Sequence, residues 1–173
     1  NVAGTGFDAI GGSGPSMKTY DTTGPGSWKG ITRTDTALYN KKGYMLFVRG
    51  DRTVTTISAP ATATRLRCKG MLFHPVSNIP PVTTVGSGKF ESIGNPYASA
   101  IDFSNDFGVL KSVNIQRAFY VWDPKLGSGY GGYQTFVKGA GADYTVLPGG
   151  GSYPPGGSVY NFIQSGQAFF VRS

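Results

Sequence analysis

Cysteine and histidine are almost absent from this 173-residue chain. Cys68 is the only cysteine, and His74 is the only histidine. A single cysteine excludes an internal disulfide and a thiolate metal cluster, and a lone histidine offers few ways to activate a serine nucleophile. Glu91 is the only glutamate, and no Gly-x-Ser-x-Gly elbow occurs. These shortages predict that the protein is not an enzyme.

Long apolar runs are also missing. No stretch of 18 apolar residues occurs, so the sequence predicts no membrane-spanning segment. Residues 1–10 lack the basic and apolar regions of a signal peptide, and the chain begins with Asn1. We therefore expect a mature form or a fragment whose leader has already been removed.

One short phrase occurs twice in the chain. Residues 43–49 and 166–172 share Gly, Phe, Val and Arg at identical offsets, and residues 118–123 form a similar run. Short runs that are rich in aromatic and β-branched residues, and bounded by Gly, Asp and Pro, are typical of buried strands. Phe47 and Phe170 occupy equivalent positions in the two copies, so we expect them to share one core with Val121 or Trp122 of the third run.

Glycine is concentrated in two zones. Residues 1–30 contain eight glycines and residues 124–157 contain eleven. Strand patterns lie between these zones and after them, and two more, residues 133–137 and 144–147, interrupt the second zone. The sequence predicts an all-β fold, a single-domain β-sandwich or jelly roll with glycine-rich loops and a glycine-rich N-terminal arm. In this division residues 1–30 are the arm or the first strands, and residues 31–173 are the sandwich domain.

The C-terminal end of the chain has the pattern of a hairpin. Two apolar runs, residues 158–163 and 167–172, are separated by three residues that include a glycine. Such spacing is typical of antiparallel neighbours joined by a tight turn. We therefore expect these two runs to pair with each other.

Positive charge exceeds negative charge. Sixteen Lys and Arg residues against nine acids give a formal net charge of +7. Arg65, Arg67 and Lys69 alternate along a strand pattern and would fall on one face. This basic strip is either a solvated face or a surface that meets an anionic partner such as acidic glycan, nucleic acid or a neighbouring subunit. Nucleic acid is the weakest of these partners, because no recognisable nucleic-acid motif accompanies the charge.

A weak calcium pattern lies in the middle of the chain. Asp102, Ser104 and Asp106 space their oxygen ligands as a calcium loop does, but the glycine comes one position late and Val113 stands where the closing glutamate belongs. Turn formation is the commoner use of Asp and Asn. We expect no cofactor, with calcium at these three residues as the alternative.

Four aromatic residues flank the glycine-rich segment 127–132: Tyr120, Trp122, Tyr130 and Tyr133. Flat rings beside polar groups suit the faces of sugars, so these four are the candidate carbohydrate-binding residues. Alternation places Tyr120 and Trp122 on the same face of a strand, and that face is equally well explained as core.

The N-terminal zone carries widely spaced apolar residues. The candidate anchors for intermolecular contact, separated by flexible glycine, are Val2, Phe7, Ile10, Met17 and Tyr20. This pattern suits addition of a strand to a neighbour's open sheet edge. The alternatives are a disordered tail and a first strand folded onto its own domain.

Six ordered blocks carry a resemblance to a known kind of module. They lie at residues 42–52, 66–70, 93–102, 119–124, 132–136 and 163–172. Together they resemble a β-rich module of Bacteroidota cell-surface or secreted proteins, which usually precedes the sorting domain of the type IX secretion system. The resemblance implies an extracellular or cell-surface location. It brings no known catalytic residues.

The sequence therefore predicts a non-catalytic extracellular structural or adhesive module, with a subunit of a surface fibre or filament as one form of it. Its partners would be copies of itself or neighbouring modules of a larger surface protein. The alternative is a carbohydrate-binding module that holds polysaccharide on Tyr and Trp platforms.

Overall fold

A computed structural model gives the architecture of most of the chain. The residues that it describes are 15–33, 37–39, 41–48, 50–51, 53–54, 56, 58–60, 62–65, 70–74, 83–103, 112–127, 129–139, 144–153 and 162–173. Within these ranges the chain forms strands and no helix. The predicted all-β fold class is confirmed.

Ten strands lie in the described residues: β1 Met17–Asp21, β2 Ser27–Gly30, β3 Tyr44–Leu46, β4 Phe90–Gly94, β5 Ile101–Asp102, β6 Ala118–Asp123, β7 Gly132–Lys138, β8 Tyr144–Leu147, β9 Phe162–Ile163 and β10 Ala168–Arg172. They form a three-stranded sheet of order β2-β1-β3, a five-stranded sheet of order β4-β10-β6-β7-β8 and a two-stranded sheet, β5-β9. All of these pairings are antiparallel.

The predicted C-terminal hairpin is wrong. Strand β9 pairs with β5, whereas β10 lies between β4 and β6. The side-chain amide of Asn95 donates hydrogen bonds to the carbonyl oxygens of Ile163 at 3.0 Å and Gln164 at 3.1 Å. A turn does lead into β10, because the Gln167 amide donates to the Gln164 carbonyl at 3.0 Å, but the two strands belong to different sheets.

The main core lies on one face of the five-stranded sheet. Alternation along β7 and β8 turns every second side chain toward it, as expected for strands with one buried face. The rings of Phe119 and Phe136 stack at 4.7 Å with their planes 9° apart. Their buried neighbours are Phe103, Val121, Tyr144, Val146, Ile163, Phe169 and Val171.

The three-stranded sheet covers the opposite face through aromatic contacts. The ring of Phe170, in β10, meets Tyr20 of β1 at 4.8 Å and Trp28 of β2 at 5.6 Å, both edge to face. Edge-to-face pairs of this kind add about 0.5–1.5 kcal/mol beyond the area that they bury. The two sheets therefore pack as a sandwich around Phe170.

A close backbone approach joins the two sheets at one corner. Lys42, just before β3, forms a bridge with Ile93 of β4, and the Gly43 amide donates to the Ser92 carbonyl at 3.0 Å. A Cβ atom on Gly94 would lie 2.7 Å from the Lys42 carbonyl oxygen. Glycine is needed here because no side chain fits between the two backbones.

The two copies of the repeated phrase have different environments. Phe170 is 8% exposed in the layer between the sheets, whereas Phe47 is 50% exposed. The prediction that they share one core is wrong for Phe47. Strand β3 ends at Leu46, one residue before it, so the ring projects beyond the area that the five-stranded sheet covers.

The first strands occupy part of the N-terminal zone. Strands β1 and β2 form a hairpin inside residues 1–30 and pack on the five-stranded sheet of the same chain. Met17 and Tyr20 lie in β1. The other three predicted anchors, Val2, Phe7 and Ile10, lie outside the described residues.

Candidate binding surface

Two of the four predicted carbohydrate-binding residues belong to the layer between the sheets. The ring of Tyr120 packs against Phe90 at 5.3 Å, and Trp122 packs against Tyr133 at 4.9 Å. Both side chains are half-buried on the sheet face that Phe170 also occupies. Tyr120 and Trp122 therefore contribute mainly to packing, as their alternation in the sequence allowed.

Tyr133 lies at the border of this layer. It is 36% exposed, pairs across the sheet with Trp122, and makes a hydrogen bond with the Trp28 side chain. Burial raises the pKa of the Tyr133 hydroxyl to about 12. The phenol therefore stays neutral at physiological pH.

A shallow cleft of about 200 Å³ separates the two sheets beside these rings. Its walls include Trp28, Met45, Trp122, Tyr133 and Phe170. Sites for small molecules usually measure roughly 300–1,000 Å³. The cleft is therefore smaller than a typical ligand site, and its walls are the packing layer just described.

Tyr130 projects from the turn between β6 and β7. It is 66% exposed, and its ring meets that of Phe47 edge to face, with centroids 5.8 Å apart and planes at 78°. Phe47 follows the end of β3, so the contact joins the three-stranded sheet to the turn of the five-stranded sheet. We call Phe47 and Tyr130 the aromatic corner.

Only one of the two residues of the aromatic corner was predicted from the sequence as a binding residue. Tyr130 was predicted to bind a ligand, but Phe47 was assigned to the core, because its apolar neighbours resemble those of Phe170. One signal was available: the phrase that contains Phe47 is followed by Gly50 and Asp51, a turn pattern that shortens the strand.

Backbone contacts fix both sides of the corner. The Phe47 amide donates to the Ser16 carbonyl at 2.8 Å, which holds the end of β3 against the start of β1. On the other side, Gly129 and Gly131 flank Tyr130 with φ angles of 113° and 98°, a region that favours glycine. A Cβ atom on Gly131 would also lie 2.6 Å from the Pro124 Cα.

Asp123 anchors the turn that carries Tyr130. Its carboxylate is fully buried and accepts hydrogen bonds from the amides of Lys125, at 2.9 Å, and Ser152, and from the Ser152 hydroxyl at 3.1 Å. Burial alone would raise the pKa of Asp123, but the hydrogen bonds from Lys125 and Ser152 outweigh it and the pKa is lowered. The group is therefore a charged structural anchor at neutral pH.

A second buried polar side chain holds the following loop. Gln134 is completely buried, and its amide nitrogen lies 2.9 Å from the carbonyl oxygens of Pro148, Gly150 and Tyr153. Together with Asp123 it ties residues 148–153 to the β6–β7 hairpin. Sequence reasoning missed this role, because a glutamine within a strand pattern gives no sign of which distant loop it binds.

The other predicted site residues fall in several places. Asp102 lies in β5, while Ser104 and Asp106 of the calcium pattern lie outside the described residues. Across the described ranges, no group of three His, Cys, Asp or Glu side chains is placed to hold a metal ion.

The basic strip is described only at one end. Arg65 belongs to a described segment without strand pairing, and Arg67 and Lys69 lie outside the described residues. The predicted strand face formed by these three residues stays a prediction.

The sequence predicted no membrane-spanning segment. The part of the chain that the structure describes offers no helix with the length and hydrophobicity that a bilayer crossing requires.

Comparisons with known proteins give one match. A family model described as "Domain of unknown function (DUF8693)" matches residues 12–173, nearly the whole chain. Neither a search of curated proteins nor a search of solved structures found a match. The chain belongs to the DUF8693 family.

Proposed function

We propose that this chain is a non-catalytic adhesive module of an extracellular bacterial surface protein. The observation that carries the proposal is the aromatic corner, where Phe47 is 50% exposed and Tyr130 is 66% exposed. Large exposed aromatic residues in contact with each other are typical of surfaces that bind a partner. A surface of this kind attaches the module to a ligand without chemical change.

The way in which the polar side chains are used supports a non-catalytic role. Asp123, Gln134 and Asn95 are the buried residues with the greatest hydrogen-bonding capacity, and each binds backbone groups of a turn or loop. Catalytic groups instead need a partner with which to exchange a proton and access to a substrate. These three side chains stabilise loops.

The extracellular assignment rests on the resemblance to modules of Bacteroidota surface proteins. Antiparallel sheets with aromatic packing and glycine-rich turns suit such a module, because they give a rigid frame with ligand-binding loops at its ends.

Adhesion through the aromatic corner is favoured over assembly through the N-terminal arm. Tyr20, one of the predicted anchors, already packs on Phe170 and Trp28 of its own chain.

Surface display and cell attachment test this function together. Antibodies against the purified chain should label intact cells of the source bacterium as strongly as permeabilised cells. An in-frame deletion of the chain should reduce attachment of the cells to their natural substratum. Labelling that requires permeabilisation, or unchanged attachment after deletion, would contradict the proposal.

A further inference from the structure

We propose that the aromatic corner binds one sugar ring of an acidic polysaccharide. This inference rests on the proposed adhesive function and adds the chemical class of the ligand. It is carried by the geometry of two rings, by their exposure and by the charge of the segments that supply them.

The geometry of the corner suits a single ring-shaped group. The planes of Phe47 and Tyr130 are 78° apart, with centroids at 5.8 Å, so one ring directs its edge at the face of the other. Two nearly perpendicular rings expose aromatic surface in two directions. A pyranose ring would lie with its flat C–H face on one aromatic face and its edge against the other ring.

The chemistry of the rings also favours a sugar. The face of an aromatic ring carries partial negative charge, which attracts the weakly positive C–H groups of a pyranose. The Tyr130 hydroxyl adds a hydrogen-bond donor and acceptor for the sugar hydroxyls. Since both rings are at least half exposed, a long chain can pass over the corner without any change of the fold.

The corner is pre-organised. The Phe47 amide is bound to Ser16, and the turn that carries Tyr130 is fixed by buried Asp123 and by the backbone conformation of Gly131. A site whose residues are already in place loses little conformational entropy when the ligand binds. Weak contacts to one sugar ring then suffice for measurable retention on a polymer with many repeats.

Charge complementarity specifies an acidic polymer. Segment 41–52, which contains Phe47, has Lys41, Lys42 and two arginines against Asp51 alone. In the turn that carries Tyr130, Lys125 is exposed, whereas the carboxylate of Asp123 is buried in hydrogen bonds. The side chains of Lys41, Lys42 and Lys125 are exposed, and Lys42 also pairs with Glu91 at 3.7 Å. This excess of cations agrees with the net charge of +7 and favours an anionic polymer.

Affinity gel electrophoresis with polygalacturonate, and with dextran as the neutral polymer, tests the inference. We expect polygalacturonate to retard the wild-type chain and dextran to retard it far less. Phe47→Ala and Tyr130→Ala should each weaken the retention about 2- to 10-fold, since a pair of stacked or edge-on rings contributes on this scale. Tyr130→Phe should keep most of the binding, because the ring remains.

Tyr39→Ala is the matched control. Tyr39 is 75% exposed, and its described hydrogen bonds use backbone atoms: its amide donates to the Tyr44 hydroxyl, and its carbonyl accepts from the Lys42 amide. Alanine preserves both. Retention of this variant should equal that of the wild type. Raising the ionic strength from about 0.1 M to about 1 M shortens the Debye length from ~10 Å to ~3 Å, and it should weaken binding of the wild type and of each variant.

Three results would overturn the inference. The first is that polygalacturonate fails to retain the wild type, and the second is that dextran retains the wild type as strongly as polygalacturonate does. The third is that Phe47→Ala and Tyr130→Ala are each retained as strongly as the wild type. Each of these leaves the adhesive function intact if deletion of the chain still reduces cell attachment. Unchanged attachment after deletion, together with retention in the gel, would instead contradict the adhesive function and preserve the sugar site.

Discussion

Asp123 shows how one buried charge supports an exposed aromatic residue. Its carboxylate accepts hydrogen bonds from both Lys125 and Ser152, and thereby joins the β6–β7 turn to the loop that follows β8. A buried carboxylate stays charged when its hydrogen bonds compensate the loss of water. The position of Tyr130 therefore depends on a residue that is itself buried.

Asp123→Asn should lower the free energy of unfolding by about 1–3 kcal/mol at pH 7, because it replaces charge-assisted hydrogen bonds with neutral ones. The pKa of Asp123 is lower in the folded chain than in the unfolded one. Its contribution is therefore complete above the unfolded value, near pH 4, and is lost as the pH falls through the folded value.

Urea unfolding of the wild type and of Asp123→Asn at several pH values measures this contribution. The difference between the two should be constant near neutrality and should shrink below about pH 4. A difference that does not depend on pH would show that the charge of Asp123 plays no part.

Phe170 represents the packed aromatic residues, and Phe47 represents the exposed ones. Phe170→Ala should cost about 3–5 kcal/mol, because it removes the ring on which Tyr20 and Trp28 pack. Phe47→Ala should cost less than about 1.5 kcal/mol, the value of one edge-to-face contact. Denaturant midpoints measure both, and equal losses would contradict the different environments that we assign to the two rings.

Among the strands and turns, the close backbone approach at Gly43 and Gly94 determines how the two sheets are joined. At this point Lys42, just before β3, pairs with Ile93 of β4 as two neighbouring strands would. From there β3 runs toward the β6–β7 turn, where Phe47 contacts Tyr130. Strand β3 therefore starts beside the edge strand β4 and ends beside the aromatic corner. Any side chain at Gly94 would push the two backbones apart.

Gly94→Ala should destabilise the fold by about 1–3 kcal/mol, because the added methyl group meets the Lys42 carbonyl at 2.7 Å. Gly70→Ala is the control: no atom lies within 4 Å of its added Cβ, and alanine there should be neutral or stabilising by up to about 1 kcal/mol. Thermal unfolding compares the two. Equal effects would mean that the backbone approach at Gly94 tolerates a side chain.

The sequence allowed several elements to be predicted, since alternation and β-branched or aromatic content report directly on a buried strand face. Strands β6, β7 and β8 were recognised in this way. The partner of β9 was not, because β5 is distant in the sequence and the Asn95 side chain that binds the Ile163 carbonyl lies 68 residues away. The end of β3 was also missed, since its apolar run continues for two residues, Phe47 and Val48, beyond Leu46, the last paired residue.

For the molecule as a whole, both faces of the five-stranded sheet are covered. The main core fills one face, and the layer around Phe170 fills the other. This division explains why only part of the predicted carbohydrate-binding set reaches solvent. Tyr120 and Trp122 lie under the three-stranded sheet, while Tyr130 lies beyond its edge, and no pattern in the sequence marks where that edge falls.

The attachment of living cells that carry substitutions at the aromatic corner tests the central claim most directly. Phe47→Ala and Tyr130→Ala would be introduced together into the chain in its source organism, with Tyr39→Ala as the control, and antibody labelling of intact cells would check for equal display. We predict that the double variant loses most of the attachment that deletion of the chain abolishes, while the control attaches as the wild type does. Wild-type attachment by the double variant would contradict the claim that the chain adheres through Phe47 and Tyr130.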